Sequence, residues 1–167
     1  MPRAARPMNP RLHLALALSL TALGLAPGVA HVLELPVKLT YAPALYTAVT
    51  STLYVWFGIL GGAVQVAAVL AVAALAVRTR AQPAGRMLAA SAGALVASLL
   101  LWGLVVAPVN EAWAEVAGTP AAVDAYARLR LRWEYGHVAA VIAWAAGWIG
   151  LVIAVVRETA LSRECGR

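Results

Sequence analysis

The stretch from Leu12 to Lys38, LHLALALSLTALGLAPGVAHVLELPVK, decides the fold of this chain. It is mainly apolar over about 20 residues, the length that an α-helix needs to cross a bilayer. His31 and Glu34 stand near its end. Ionisable groups in or next to lipid cost free energy, so their presence needs a functional reason. Because they are three residues apart, both side chains lie on one face of the predicted helix.

The composition of the whole chain also indicates a membrane protein. The chain has 167 residues, of which 63% are hydrophobic and 12% are charged, whereas about a quarter of the residues in a soluble domain are charged. Its length fits one compact unit. The single cysteine, Cys165, excludes an intramolecular disulfide bond and does not indicate a structural metal site.

The apolar runs predict an all-α fold: an integral membrane four-helix bundle with short interfacial helices in its outer loops. The alternative for the first run is a cleaved signal peptide ending near Ala30, which would leave an odd number of spans. The predicted spans cover about residues 12–34, 50–77, 87–107 and 135–156, and form one transmembrane domain, 12–156, between a basic disordered arm, 1–11, and a charged tail, 157–167.

Individual residues in the first two spans carry further predictions. Pro36 is expected to end or kink the first helix just after Glu34. The spacing Gly58-x-x-x-Gly62 predicts close approach of a neighbouring helix. Gln65, deep in the second span, is expected to form an interhelical hydrogen bond or, alternatively, a polar contact with a ligand.

The third loop is expected to contain two helical pieces. A short interfacial helix is predicted over 111–117, followed by a break at Gly118-Thr119-Pro120. Helix is predicted again over 121–133, leading into the fourth span. Although 128–133 alternates between arginine and apolar side chains, a single strand there would have no partner.

The basic residues are distributed unevenly along the chain. The arm, the second loop and the tail hold nine Lys and Arg, whereas the first and third loops hold four. By the positive-inside rule, this predicts a multi-pass protein of the inner or plasma membrane with both termini in the cytoplasm. The net charge of +6 then needs no nucleic-acid partner, and the expected partner is the lipid bilayer.

A second polar pair, Glu134 and His137, stands at the start of the fourth span. In the predicted topology, each histidine lies about one helical turn, ~5 Å, deeper in the membrane than its glutamate. The two pairs are therefore expected to meet between the first and fourth helices, in the outer half of the bundle. The same end is expected to hold Asn110, Tyr46 and Tyr54.

Three kinds of site fit these residue types. His31, Glu34, Glu134 and His137 are suitable ligands for a transition metal such as iron, copper, zinc or manganese, as in other helical bundles. The two histidines could instead hold a haem from both sides. In the third interpretation no cofactor is bound, and the imidazole and carboxylate groups move protons to and from a hydrophobic aromatic small molecule.

Simpler explanations exist for every one of these residues. Glu34 could pair with Lys38, and Glu134 with Arg130 or Arg132, as weak ion pairs on helix surfaces. The remaining positions also have ordinary roles: His13, Tyr54 and Trp56 are typical of a membrane interface, and Asn110 is typical of a helix cap.

Four short motifs together resemble those of a known family. They are His31-Val-Leu-Glu-Leu-Pro-Val-Lys38, Leu53-Tyr-Val-Trp-Phe-Gly58, Ala107-Pro-Val-Asn110 and Arg132-Trp-Glu-Tyr-Gly-His137. On these motifs the chain is similar, over nearly its whole length, to a large group of small four-span membrane proteins, most without an assigned activity, that includes the fungal anthrone oxygenases. The resemblance implies a four-helix bundle and, from the anthrone oxygenases, oxidation of a polycyclic phenolic anthrone to a quinone by dioxygen.

The resemblance implies that its motif positions, His31, Glu34, Asn110, Trp133 and His137, form the site. The resulting hypothesis is an oxidoreductase acting on a hydrophobic aromatic or quinone-like substrate. The alternatives are a non-catalytic binder of haem, quinone or lipid, and a structural or accessory bundle. The candidate catalytic residues are His31 or His137 as base or metal ligand, with Glu34 and Glu134 to orient them, and Asn110 to position an oxyanion or oxygen. The candidate substrate-binding residues are Tyr54, Trp133 and Glu134.

Overall fold

The computed structural model describes residues 9–164, which form helices and turns without a strand. Cys165 and most of the predicted disordered arm lie outside the described residues. The helices are α1, Pro10–Lys38; α2, Pro43–Leu53; α3, Gly62–Arg78; α4, Gly85–Leu101; α5, Ala107–Glu115; and α6, Ala122–Glu164; two π-helical segments, π1 at Phe57–Gly61 and π2 at Trp102–Val106, lead into α3 and α5.

Among the described residues, four helices are long and apolar enough to cross a membrane. This confirms the all-helical class and the prediction of four helices of membrane-crossing length. The bounds are wider than predicted for three of the four helices, because helical structure continues beyond the apolar residues. These four helices are Pro10–Lys38, Phe57–Arg78, Gly85–Glu115 and Ala122–Arg157.

Helix α1 begins with Pro10 at its first turn, where the Asn9 side chain accepts a hydrogen bond from the Arg11 amide at 3.0 Å. The predicted end of α1 just after Glu34 is wrong, because the helix continues to Lys38 with Pro36 inside it, and the alternative of a kink there stays a prediction. Proline removes one N–H donor and crowds the preceding turn, but the helix is kept here. The added turn places Lys38 seven residues, about two turns, after His31, on the same face.

The third span continues into the predicted interfacial segment without a break. Helix α5 follows π2 directly and contains Asn110, so this residue lies within a helix and is not a cap. The predicted break is confirmed: Gly118 has φ +77°, a conformation that favours glycine. Helix α6 then runs unbroken from Ala122, which confirms that 128–133 is helical.

Helix α6 packs against α4, α1 and α2, and α1 also packs against α3. A Cβ atom at Gly24 would lie 2.7 Å from the Trp144 ring, and one at Gly28 would lie 2.4 Å from Val141 Cγ2. These glycines therefore allow α1 and α6 to approach closely. The close approach predicted at Gly58-x-x-x-Gly62 is not observed, since a Cβ at either of these glycines would meet nothing within 4 Å.

Two groups of buried side chains form the core. One, in the middle of the bundle, includes Leu95, Trp144 and Leu151. The other is mainly aromatic and includes Tyr46, Trp113 and Trp133. The second group lies at the end of the bundle where the two polar pairs meet, and this end is called the polar end below.

Candidate functional site

The imidazole rings of His31 and His137 are in contact at the polar end. Their centroids are 4.3 Å apart and their planes are inclined by 30°. His31 comes from α1 and His137 from α6, so the predicted meeting of the first and fourth helices at these residues is confirmed. His31 is 5% exposed.

Aromatic side chains enclose the two imidazoles. Tyr54 stacks on His31 at 4.4 Å between centroids, and Trp133 meets the edges of His31 at 5.1 Å and of His137 at 4.3 Å. Phe57 lies edge-on to His31 at 6.1 Å. Tyr54 is 7% exposed, so its predicted place in an interfacial belt is wrong, because the ring packs inside the bundle.

The Lys38 ammonium lies between the acidic side chains of the site. Its Nζ donates to Glu134 Oε2 at 3.0 Å and to His31 Nδ1 at 3.3 Å, and it is 3.9 Å from Glu34 Oε2. The side chains of Lys38 and Glu134 are 2% and 1% exposed. The main partner of Glu134 is therefore Lys38 of α1. The simpler explanation, in which Glu134 pairs with Arg130 or Arg132, is wrong.

Two tyrosines complete the hydrogen bonds of the carboxylates. Tyr46 donates its hydroxyl to Glu134 Oε1 at 3.0 Å, and Tyr54 donates to Glu34 Oε2. Burial, and then the adjacent Glu134 carboxylate, raises the pKa of Tyr46. This tyrosine therefore stays a hydrogen-bond donor at neutral pH.

Arg130 anchors α6 to the end of α1. Its guanidinium donates to the Tyr41 carbonyl at 3.2 Å and to the Lys38 carbonyl, and it lies 4.5 Å from the centroid of the Tyr46 ring. A cation beside the last carbonyls of a helix is favourable because those groups lack helical partners. Arg130 therefore holds the backbone that carries Lys38.

These side chains give no support to the metal and haem interpretations. Among the described residues, no three His, Cys, Asp or Glu side chains are grouped so as to hold a metal ion. Lys38 Nζ takes the position between Glu134 and His31 that a shared ion would need. A haem held from both sides would require a porphyrin between two rings that are in contact here.

Hydrogen bonds assign different tautomers to the two imidazoles. His137 Nδ1 lies 2.9 Å from the Trp133 carbonyl, which only accepts, so Nδ1 carries the proton and Nε2 a lone pair. Lys38 can only donate, so His31 Nδ1 accepts and Nε2 carries the proton. Neither Nε2 atom forms a hydrogen bond to a described residue. The site therefore presents one proton donor and one proton acceptor.

Both imidazoles line a cavity of about 630 Å³ that extends from the polar end into the middle of the bundle. Most of its walls are apolar or aromatic. One side is formed by residues that are also exposed on the outside of the bundle, among them Val55, Gly58, Ile59 and Val66. The rest of the lining includes Gly24, Gln65, Ser98, Asn110, Trp133 and Trp144.

Asn110 reaches the same cavity from α5. Its Oδ1 accepts a hydrogen bond from Trp133 Nε1 at 2.8 Å, which leaves the amide N–H groups as donors. The predicted Asn110 and Trp133 are thus brought together with the histidines. Glu34 and Glu134 are directed mainly to the tyrosines and Lys38, and their predicted catalytic and substrate-binding roles stay predictions.

His13 and Gln65 lie away from the imidazole pair. His13 is 4% exposed and its Nε2 donates to the Ala71 carbonyl at 2.9 Å, so its predicted place at a membrane interface is wrong. Gln65 forms the predicted interhelical hydrogen bond, from Nε2 to the Gly24 carbonyl at 2.9 Å.

The fold and the site define a bundle of four membrane-length helices with a buried imidazole pair beside a largely apolar cavity. Comparisons of the chain with protein-family models, with curated proteins and with solved structures found no match.

Proposed function

We propose that this chain is a multi-pass membrane oxidoreductase that oxidises a hydrophobic aromatic substrate in the cavity beside His31 and His137. The observation that carries the proposal is the pair of contacting imidazoles with opposite tautomers on the cavity wall. The cavity volume of about 630 Å³ is in the range of small-molecule sites. Its apolar walls favour a ligand that partitions into lipid.

The chemistry that suits this pair is removal of a proton from carbon next to aromatic rings. Nε2 of His137 takes the proton as a general base, while Nε2–H of His31 donates to the oxygen on which negative charge develops. The amide of Asn110 supplies a further donor at the same cavity. Burial in an apolar site strengthens these interactions relative to water.

Dioxygen is the oxidant in this proposal. The carbanion of an anthrone-type CH₂ group adds dioxygen to give a hydroperoxide, which then loses water to leave a carbonyl. One oxygen atom ends in the quinone and the other in water, and the two hydrogens of the CH₂ group leave in that water. The protein supplies the base, the donor and an apolar enclosure, and no step requires a metal.

We further propose that both termini face the cytoplasm of an inner or plasma membrane, following the distribution of basic residues. The substrate then enters from the bilayer, beside the cavity-lining residues Val55, Gly58 and Ile59, which are exposed on the outside of the bundle.

The test is conversion of anthrone to anthraquinone by protein purified in detergent, followed by absorbance and by oxygen consumption. We expect His137→Gln to lower the rate by about 100-fold or more, since a general base contributes at least that much. His31→Gln is expected to slow the reaction less, because an amide still donates. The matched control is His13→Gln, a buried histidine remote from the cavity, which should retain the wild-type rate.

Two outcomes would contradict the proposal. One is a wild-type rate no higher than the spontaneous oxidation in buffer. The other is an unchanged rate in folded His137→Gln protein. Binding of anthraquinone without conversion of anthrone would identify the chain as a non-catalytic binder.

A further inference from the structure

We propose that Gln65 determines ligand specificity: its amide holds a polar group at the far end of a flat fused-ring molecule whose other polar group meets the imidazoles. The inference rests on the proposed function, because it names the substrate class of the same cavity. It concerns the end of the cavity in the middle of the bundle, where no charged side chain lines the wall.

The orientation of the Gln65 amide is fixed by its partner. Nε2 donates to the Gly24 carbonyl at 2.9 Å, and a carbonyl can only accept. Oε1 is therefore an acceptor, and Nε2 keeps a second hydrogen. Neither Oε1 nor this second N–H forms a hydrogen bond within the part of the chain that the structure describes. Gln65 also lines the cavity. An amide with unused capacity is thus presented to a ligand.

The other polar groups that line the cavity between the imidazoles and Gln65 are already engaged. Ser98 donates its hydroxyl to the Ala140 carbonyl at 2.7 Å. Trp144 donates Nε1 to the Thr21 carbonyl at 2.9 Å and offers only its ring. Gln65 is therefore the side chain that distinguishes polar from apolar ligands at this end, because its amide can still form hydrogen bonds.

The Gln65 end and the imidazole end of the site lie about two helical turns apart along the bundle. Gly24, which binds Gln65, precedes His31 by seven residues on α1, and Trp144 follows His137 by seven residues on α6. Seven residues of α-helix span roughly 10.5 Å. A ligand that meets polar groups at both ends is therefore elongated along the bundle.

A flat three-ring fused system with one polar group on its middle ring and another on an outer ring has this elongated shape. Trp144 and Gln65 pack closely against α1 at this end, since a Cβ atom at Gly24 would lie 2.7 Å from the Trp144 ring and 3.1 Å from Gln65 Cγ. The Gln65 side chain is thus held in place beside the cavity that it lines.

The experiment compares the binding of 2-hydroxyanthraquinone and anthraquinone, which differ only in the outer-ring hydroxyl. Both are already oxidised, so binding is measured without turnover, by quenching of tryptophan fluorescence in detergent. We expect the wild-type protein to bind 2-hydroxyanthraquinone about 10-fold more tightly, the effect of one hydrogen bond. Gln65→Leu is expected to bind both quinones equally. Gln65→Met is the second variant, for use if Gln65→Leu does not fold.

Ser98→Ala is the matched control, since it removes a polar group that also lines the cavity but whose hydrogen bond is internal. It should keep the preference. A preference below about 2-fold in the wild type, or one retained in the Gln65 variants, overturns the inference, as does failure of both quinones to bind. If the preference is present and lost as expected while anthrone is not oxidised, the specificity role stands and the proposed oxidase activity fails.

Discussion

Lys38 Nζ lies 3.0 Å from Glu134 Oε2, although the two residues are 96 positions apart and both side chains are almost fully buried. This ion pair joins the end of α1 to α6 beside the two imidazoles. Taking one member away leaves the other as a buried charge without its main partner, which is far more costly than losing an exposed pair.

We therefore predict that Lys38→Met destabilises the protein by about 3–5 kcal/mol, measured by denaturant unfolding in detergent. The double variant Lys38→Met/Glu134→Gln should recover a substantial part of this loss, because the remaining group is no longer charged. Arg132→Met serves as the control and should have little effect on stability, because Arg132 is an exposed arginine of α6, the helix that carries Glu134. Additive effects of the two single substitutions would contradict the direct pairing.

The contact between α1 and α6 depends on Gly28. A Cβ at this position would lie 2.4 Å from Val141 Cγ2, and valine has little freedom to rotate in a helix. We predict that Gly28→Ala destabilises the protein by about 1–3 kcal/mol and weakens quinone binding, because the two imidazoles move apart.

Gly93→Ala provides the comparison for Gly28→Ala. Gly93 is an exposed helical glycine whose added Cβ would meet nothing within 4 Å. Its substitution should be neutral or stabilise the protein by about 0.5–1 kcal/mol through helix propensity. Equal effects of the two substitutions in thermal unfolding would show that α1 and α6 are not tightly packed at Gly28.

Stability should fall at high pH through Tyr46. Burial and the Glu134 carboxylate raise the pKa of this tyrosine above its usual value of about 10. The folded state then holds the proton more firmly than the unfolded state. This contribution is complete below about pH 10 and is lost as the pH rises further, by up to about 1.4 kcal/mol per pH unit.

Unfolding measured between about pH 9 and pH 11.5 tests this dependence. Tyr46→Phe should be less stable than the wild type at the lower pH, because Glu134 loses a donor, and its stability should decline less steeply above about pH 10. The same slope in both proteins would exclude Tyr46 as its source.

The proposed topology predicts the accessibility of two introduced cysteines. Ala81 lies in the turn between α3 and α4, and Ala117 in the loop between α5 and α6, at opposite ends of the third membrane-length helix. In a Cys165→Ser background, Ala81→Cys should react with an impermeant maleimide only from the cytoplasmic side. Ala117→Cys should react only from the other side. Labelling of both from the same side would contradict the arrangement.

The parts of the fold that follow from local patterns could be predicted from the sequence. The four long helices are visible as apolar runs of sufficient length, and the break at Gly118 follows from glycine and proline. His31 and His137 could be placed at one depth because helix rise is constant. Their direct contact follows from helix rotation and from the glycines of α1, which spacing alone does not give.

The role of Lys38 could not be predicted in this way. Local spacing offered Glu34 as its partner, but that distance is 3.9 Å, and the closer partner, Glu134, is on another helix. The position of Lys38 also depends on continuation of α1 through Pro36, which propensity disfavours. Likewise, the sequence predicts the end of the bundle at which Tyr46 lies, but not its hydrogen bond to Glu134, which is a long-range contact.

The π-helical segment Trp102–Val106 makes the third span tolerant of a change in chain length. A turn of this kind accommodates one residue more than an α-helical turn, while the helices on either side keep their alignment. Deletion of Gly103 would convert it into an ordinary turn and leave Asn110 directed at Trp133. The same deletion within α4 would swing Asn110 by about 100° around the helix axis. A single deletion can therefore be absorbed at this turn of the span without disturbing the cavity wall.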